Sequence, residues 1–291
     1  MAWHLFSMNV TNVAVAANNR GENEGNITTL QKVLWEGVTH TCVSGEAIRR
    51  GLRRVWSDSG KVLRENQVGH EANFDPVEFL DDDVLGFMQA QAAKAEDEED
   101  GSGGKRKRLK GTVTSRTGPL NVSRAISLEP YHCEVSFNSR SGDKNRTSLY
   151  GTEFHATAYQ YGWALTPRAL MKPERVSDVV LGFLELRDVG GNHGRFLYDF
   201  SPQSIIYRWT QDFAPRFLYC YEKRDQIVSA SKIKQLVERN DLSAQELWVG
   251  GDIADSPIGK FLQSKGAQVY PGIKEVSKML LTKIMSDLEI G

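Results

Sequence analysis

The stretch Ser44-Gly45-Glu46-Ala47-Ile48-Arg49-Arg50-Gly51-Leu52-Arg53-Arg54-Val55-Trp56 decides how this chain is read. Ser44 is suited to cap a helix, since its hydroxyl can accept from an orphan backbone amide, and Glu46 complements the positive helix end. At about 100° per residue, Ile48, Leu52 and Val55 fall into one narrow apolar stripe. Ala47 and Gly51 flank that stripe and are small enough to let the helix lie close against a sheet. Arg49, Arg50, Arg53 and Arg54 fill the opposite arc at i,i+4 spacing. Two readings compete: a solvated charged face, and a face that binds an anion. Only Glu46 lies in range to neutralise the band, by reaching Arg50, and no lysine replaces an arginine. The guanidinium is planar, permanently charged and weakly hydrated, which suits it to phosphate forks. The reading adopted is a helix that grips nucleic-acid backbone.

Composition bounds the rest. The 291 residues suffice for one large domain with insertions or two modest ones. A hydrophobic fraction of 40% and a charged fraction of 25% are ordinary for a soluble globular protein. The net charge of −1 hides an uneven distribution. No apolar run approaches the roughly 20 residues of a membrane span, and the first residues lack the marks of a signal peptide. Cys42, Cys133 and Cys220 are far apart and without CxxC spacing, which predicts reduced thiols rather than disulfides or a zinc site. A cytoplasmic protein with no membrane partner is expected.

Upstream of the arginine helix, residues 4–15 read as a strand and residues 17–26 as a polar loop. Asn18 and Asn19 can offer amide donors there, although a plain surface loop explains them as well. A second extended stretch, residues 29–43, leads into the helix. Strand, polar loop, strand and cationic helix together resemble the start of a single-stranded RNA platform.

Three blocks extend the likeness: Asn18-Asn19-Arg20-Gly21-Glu22, then Gly25-Asn26-Ile27-Thr28-Thr29-Leu30-Gln31-Lys32, then Val43-Ser44-Gly45-Glu46-Ala47-Ile48-Arg49-Arg50-Gly51-Leu52-Arg53. Gly118-Pro119-Leu120-Asn121-Val122-Ser123-Arg124-Ala125-Ile126-Ser127 and Gly190-Gly191-Asn192-His193-Gly194-Arg195 add two more. In these blocks the sequence resembles the Cas-seven family, the backbone subunits of the CRISPR Cascade complex, and the likeness spans nearly the whole chain. The likeness is to the DevR branch found in type I-B systems. It implies an α/β fold, a modified RRM-like (ferredoxin-like) palm with large insertions, whose copies stack along a CRISPR RNA. It also implies RNA contacts at Arg20, Lys32, Ser44, Arg49 and Arg53. Glu46 departs from relatives with a neutral amide at that place; a carboxylate would repel phosphate, so it is expected to cap or to orient an arginine.

Further along, residues 75–95 carry apolar side chains at helical spacing, and Asp81-Asp82-Asp83 read as capping or solvated carboxylates. Residues 96–110 combine an acidic block, a glycine hinge and a basic block, the composition of a disordered loop. Whether its basic run reaches nucleic acid stays open. From residue 111 to 163 the pattern is strand-rich, with Arg116, Arg124, Arg140 and Arg146 at connecting turns. Tyr150, Phe154, Tyr159, Tyr161 and Trp163 could stack on bases, but a half-buried strand needs such residues anyway. His155, near Glu153, makes a weak case for acid–base chemistry. Residues 175–187 form an amphipathic helix ending at the glycine-rich loop. There backbone amides can approach an anion and Arg195 could add a fork; a helix cap and turn fit almost as well. The resemblance favours RNA contact at Gly191, His193 and Arg195. Residues 196–198 and 204–209 read as strands or a projecting hairpin, and 217–221 as another strand. Beyond residue 229, helix and strand alternate, predicting a partly parallel sheet. Val249-Gly250-Gly251-Asp252 lacks a P-loop Lys-Ser/Thr and G-x-G-x-x-G, so no cofactor is expected.

These readings divide the chain into 1–60, the first part of the palm; 61–149, an insertion region with a flexible charged loop near 96–110; and 150–291, the remainder with a projecting hairpin and a C-terminal α/β part. The expected RNA-binding set is Asn18, Asn19, Arg20, Lys32, Ser44, Arg49, Arg50, Arg53, Arg116, Arg124, Gly191, His193 and Arg195, with no catalytic or metal-binding residue. Expected partners are CRISPR RNA, target DNA, other copies of the chain in a helical filament and other Cascade subunits. One alternative is a metal-dependent RNA endonuclease of the related type III kind. Against it, the 17–26 loop holds Glu22 and Glu24 but no aspartate. A second is a small-molecule-binding α/β protein using Gly250-Gly251.

Overall fold

The computed structural model describes residues 2–17, 22–66, 74–90, 113–139, 149–190, 196–224 and 227–290. Within them the order is β1 (His4–Thr11), β2 (Ala14–Ala16), β3 (Asn23–Glu24), β4 (Ile27–Thr28), β5 (Lys32–Trp35), β6 (Val38–Val43), α1 (Gly45–Asp58), α2 (Leu80–Leu85) and β7 (Gly86–Ala90). Then come β8 (Val113–Thr117), β9 (Leu120–Val122), β10 (Ala125–Ser127), β11 (Glu134–Ser139), β12 (Leu149–Thr157), β13 (Tyr159–Leu165), α3 (Val176–Leu184) and β14 (Pro202–Thr210). The last part holds β15 (Glu222–Arg224), β16 (Ile227–Ser229), α4 (Ser231–Glu238), β17 (Leu247–Gly251), α5 (Pro257–Ser264), β18 (Gln268–Tyr270) and α6 (Ile273–Leu288).

The main sheet runs β18-β17-β14-β1-β13-β10-β6-β5, with β9 also on β13. Its centre is β1, buried at all eight positions and antiparallel to both β13 and β14. With α1 following β1 and α3 lying between β13 and β14, the series β14-β1-β13-β10 has the 4-1-3-2 order of a β-α-β-β-α-β unit. Alternation along β1 explains the layers. Leu5 joins a core formed with α1, α3 and α6, whereas Phe6, Met8 and Val10 join one formed with α4 and α5. Helices therefore cover both faces, and β17 pairs in parallel with β18 as the C-terminal alternation predicts.

Several expectations are corrected. Residues 75–95 do not form one helix: α2 stops at Gly86, which at φ 73° takes a conformation that favours glycine, and the chain continues as β7 against β8. Asp81, Asp82 and Asp83 are not solvated but fully buried. Residues 196–198 are not a strand, Leu197 being left-handed at φ 54°. Residues 217–221 are irregular too, with Tyr219 at φ 52°, and β15 begins only at Glu222. For residues 204–209 the strand reading holds, since they lie in β14, inside the sheet. The 29–43 stretch is a hairpin turning at Glu36 and Gly37, both at positive φ. Tyr159, Tyr161 and Trp163 are core residues, as the half-buried strand reading expects.

Candidate nucleic-acid interface

α1 begins where the sequence places it. Ser44 is extended, and its hydroxyl accepts from the Ala47 amide at 3.2 Å. The buried side is Ile48, Gly51, Leu52 and Trp56, so Trp56 rather than Val55 ends the stripe. Gly182 of α3 faces it, and the Trp56 indole donates to the Asp178 carbonyl at 2.9 Å. At the helix start, a Cβ on Gly45 would lie 2.6 Å from the Val122 carbonyl oxygen. That close approach brings the turn after β9 against the first turn of α1.

Arg124 sits on that turn, exposed, with its guanidinium 3.5 Å from Gln31 Oε1 and 3.6 Å from Cys42 Sγ. The Glu46 carboxyl is held below its ordinary pKa by its own backbone amide, against the opposing effect of burial. The Ser44 hydroxyl and the fields of Arg124 and Arg49 add to the lowering. Glu46 thus caps and stays ionised between two arginines. Ser44, Glu46, Arg49, Arg124 and Gln31 are brought together as one cationic edge beside a helix N-terminus, an arrangement that attracts anions.

The remaining arginines depart from expectation. Glu46 is not the only carboxylate in reach, because the segment after α1 folds back. Arg50 pairs with Glu65, and Arg53 lies 3.3 Å from Glu65 and 3.5 Å from Asp81. Arg49 instead donates to the neutral Leu85 carbonyl. Arg54 is exposed and has no carboxylate partner among the described residues.

The buried aspartates are where the rest converge. Asp81 accepts from the Arg64 amide at 2.8 Å, and Asp82 from the Arg64 guanidinium at 2.6 Å. Asp83 binds Arg116 at 2.6 Å and Arg175 at 2.8 Å, and accepts the Met171 amide at 2.8 Å. Arg175 also donates to the carbonyls of Pro76, Val77 and Glu78, stapling that loop to the start of α3. Burial raises the Asp82 pKa against the pull of Arg64, and burial lowers that of Arg53 against the pull of Asp81. A buried carboxylate without such partners would cost several kcal/mol, so each must be satisfied. Arg116, expected on RNA, is accordingly turned to Asp83 and to the Ala169 carbonyl.

Lys32, on β5, lies 2.6 Å from Glu153 and 5.0 Å from the Tyr131 ring centre. Glu153 also accepts the Leu30 amide, so it braces the strand and partly neutralises the lysine. His155 is buried, bonds to the Thr41 hydroxyl at 2.9 Å, and has a pKa that burial lowers to about 4. It is neutral at physiological pH and packed, a poor proton carrier for chemistry at the surface. Asn18, Asn19, Arg20, Gly191, His193 and Arg195 lie outside the described residues, as do Arg140, Arg146 and the 96–110 loop. Among the described residues, no group of three or more His, Cys, Asp or Glu is placed to hold a metal.

The sequence reading missed Glu65 and Glu153 as counter-ions, because nothing local in their segments points to α1 or β5. It also missed the ring pair Trp35–Tyr219, 5.0 Å apart, whose tyrosine hydroxyl donates to the Arg124 carbonyl. A tryptophan just before Glu36-Gly37 was the visible signal for half of that pair.

No protein-family model matches the chain. Two solved structures share the fold. One is a chain of a "CRISPR RNA-guided surveillance complex, pre-nicking", with TM-score 0.59 and 11% identity, covering 97% of this chain and 100% of that one. The other is a chain of a "CRISPR RNA-guided surveillance complex", with TM-score 0.57 and 12% identity over 96% and 99%. A curated relative from Myxococcus xanthus (strain DK1622), "CRISPR-associated protein Cas7/Cst2/DevR", is 40% identical over 297 aligned positions, 94% of this chain and 95% of its own. The strand order, the capped arginine helix and that near full-length identity lead to one conclusion: the chain belongs to the Cas7/Cst2/DevR family of CRISPR-associated proteins.

Proposed function

We propose that the chain is a non-catalytic backbone subunit of a type I-B Cascade complex. In this reading copies polymerise along a CRISPR RNA and hold its phosphates while the bases pair with target DNA, with other Cascade subunits completing the assembly in the cytoplasm. The β14-β1-β13-β10 unit serves as an RRM-like palm. The observation that carries the reading is the edge at the start of α1. There Arg49 and Arg124 are held by neutral acceptors beside a helix N-terminus, with Glu46 their one nearby counter-charge among the described residues. Contacts of this kind fix a strand's position without reading its sequence, so base identity is left to pairing. Arg20, Lys32, Gly191, His193 and Arg195 remain proposed contacts. Arg50 and Arg53 are proposed with the added requirement that each loosen Glu65, and Arg116 with the requirement that it loosen Asp83.

A non-catalytic role is supported by the fate of the acidic run at 81–83. Asp81, Asp82 and Asp83 are all engaged by arginine and backbone donors, and so are spent on structure. The test is co-expression with a CRISPR RNA, purification, and analysis of the RNA retained. The wild-type chain should retain a guide of defined length, and Arg49→Ala with Arg124→Ala should lose most of it while still folding. Full retention by that variant, or efficient Mg²⁺-dependent cleavage of target RNA by the wild type, contradicts the proposal.

A further inference from the structure

The C-terminal half of α1 borders a cleft of about 220 Å³, whose charged lining is four arginines, Arg50, Arg53, Arg54 and Arg187, and three acidic residues, Asp58, Glu65 and Asp188. Gly51 is what forms it. A Cβ there would stand 2.9 Å from Leu186 Cδ1 and 3.0 Å from the Asp188 carbonyl oxygen, so only glycine lets residues 186–189 close onto the helix. That closure carries Arg187 to the arginine face of α1.

We infer that this cleft is a second phosphate site, distinct from the edge at the start of α1, which takes a backbone phosphate of single-stranded nucleic acid and holds Glu65 as an internal substitute while empty. Glu65 sits as a bound anion would, its carboxylate shared by Arg50 and Arg53. It is weakly committed, being partly exposed on a single helical turn of three residues, Arg64–Asn66. Arg54 has no carboxylate partner among the described residues. Arg187 is 75% exposed and only 3.7 Å from its neighbour Asp188, a loose pair of the kind worth little in water. Arg54 and Arg187 are therefore open to an incoming phosphate, and Arg50 joins them when Glu65 swings away, while Arg53 keeps Asp81. Asp81 stays with Arg53 throughout, so the cleft keeps its shape while its counter-ion changes.

The inference rests on the proposed function, and its test separates the two. The full chain is titrated with an unstructured single-stranded RNA of guide length over a series of salt concentrations. Arg54→Ala with Arg187→Ala removes the cleft's hold on its phosphate, so the slope of log affinity against log salt should become shallower by about 0.7. Glu65→Gln removes the competing charge and should tighten binding roughly fivefold. A purely structural Glu65 would give no tightening. Wild-type binding with curves of the double variant superimposed on it at every salt concentration overturns the cleft and leaves the edge at Arg49 and Arg124 standing. No RNA binding by the wild type overturns both.

Discussion

Four arginines of one helix have four different fates, and the difference is set by what lies within a few ångströms of each guanidinium. Arg49 has a neutral carbonyl, Arg50 a half-exposed carboxylate, Arg53 a fully buried one, and Arg54 no carboxylate partner among the described residues. Mutations at 49 and 53 should therefore differ in kind. Arg53→Ala strips the charged partner from buried Asp81, which keeps only the amides of Arg64 and Glu65. It should cost roughly 1–3 kcal/mol in denaturant unfolding, the range for a charged group left short of a partner. Arg49→Ala, losing a bond to a carbonyl on a partly exposed side chain, should cost less than about 1 kcal/mol. Equal losses at the two positions would show that Asp81 does not depend on Arg53. The arginines themselves were plain in the sequence. Their partners were not, since Glu65 and Asp81 belong to a segment whose return path is fixed only by the packing of α2.

At the scale of elements, sequence served best where one local cause suffices. The Ser44 cap lies where expected, and helix and strand alternate beyond residue 229 as expected. It served worst where a single residue breaks a pattern. Gly86 ends α2 although apolar spacing continues, and left-handed Tyr219 interrupts an aromatic run that otherwise reads as a strand. The α1–α3 contact shows the same logic from the packing side. An alanine at an interior helix position is ordinarily better than glycine by about 1 kcal/mol. At Gly182, however, a Cβ would stand 2.7 Å from the buried Trp56 indole nitrogen, which already donates to Asp178. Gly182→Ala should therefore destabilise by roughly 1–3 kcal/mol, the usual cost of overpacking. A rise in melting temperature for this variant would contradict the packing described.

Over the whole molecule, one sheet centred on buried β1 carries the capped arginine helix at one edge of its helical layer, and α4 and α5 cover the other face. The α/β class and the alternating C-terminal part were legible from periodicity. The strand order was not, because β1 meets β13 and β14 only across the long stretch of chain between Thr11 and Tyr159, and only shared burial joins them. The cationic edge was half legible: its helix could be read directly, but Arg124 reaches that edge only through the contact of Gly45 with the Val122 carbonyl. The most direct measurement of the central claim is ultraviolet cross-linking of the purified ribonucleoprotein, with the cross-linked peptides mapped by mass spectrometry. The account predicts cross-links at the start of α1 and on the turn bearing Arg124. Cross-links confined to the α4–α5 face, with none at those two places, would contradict it.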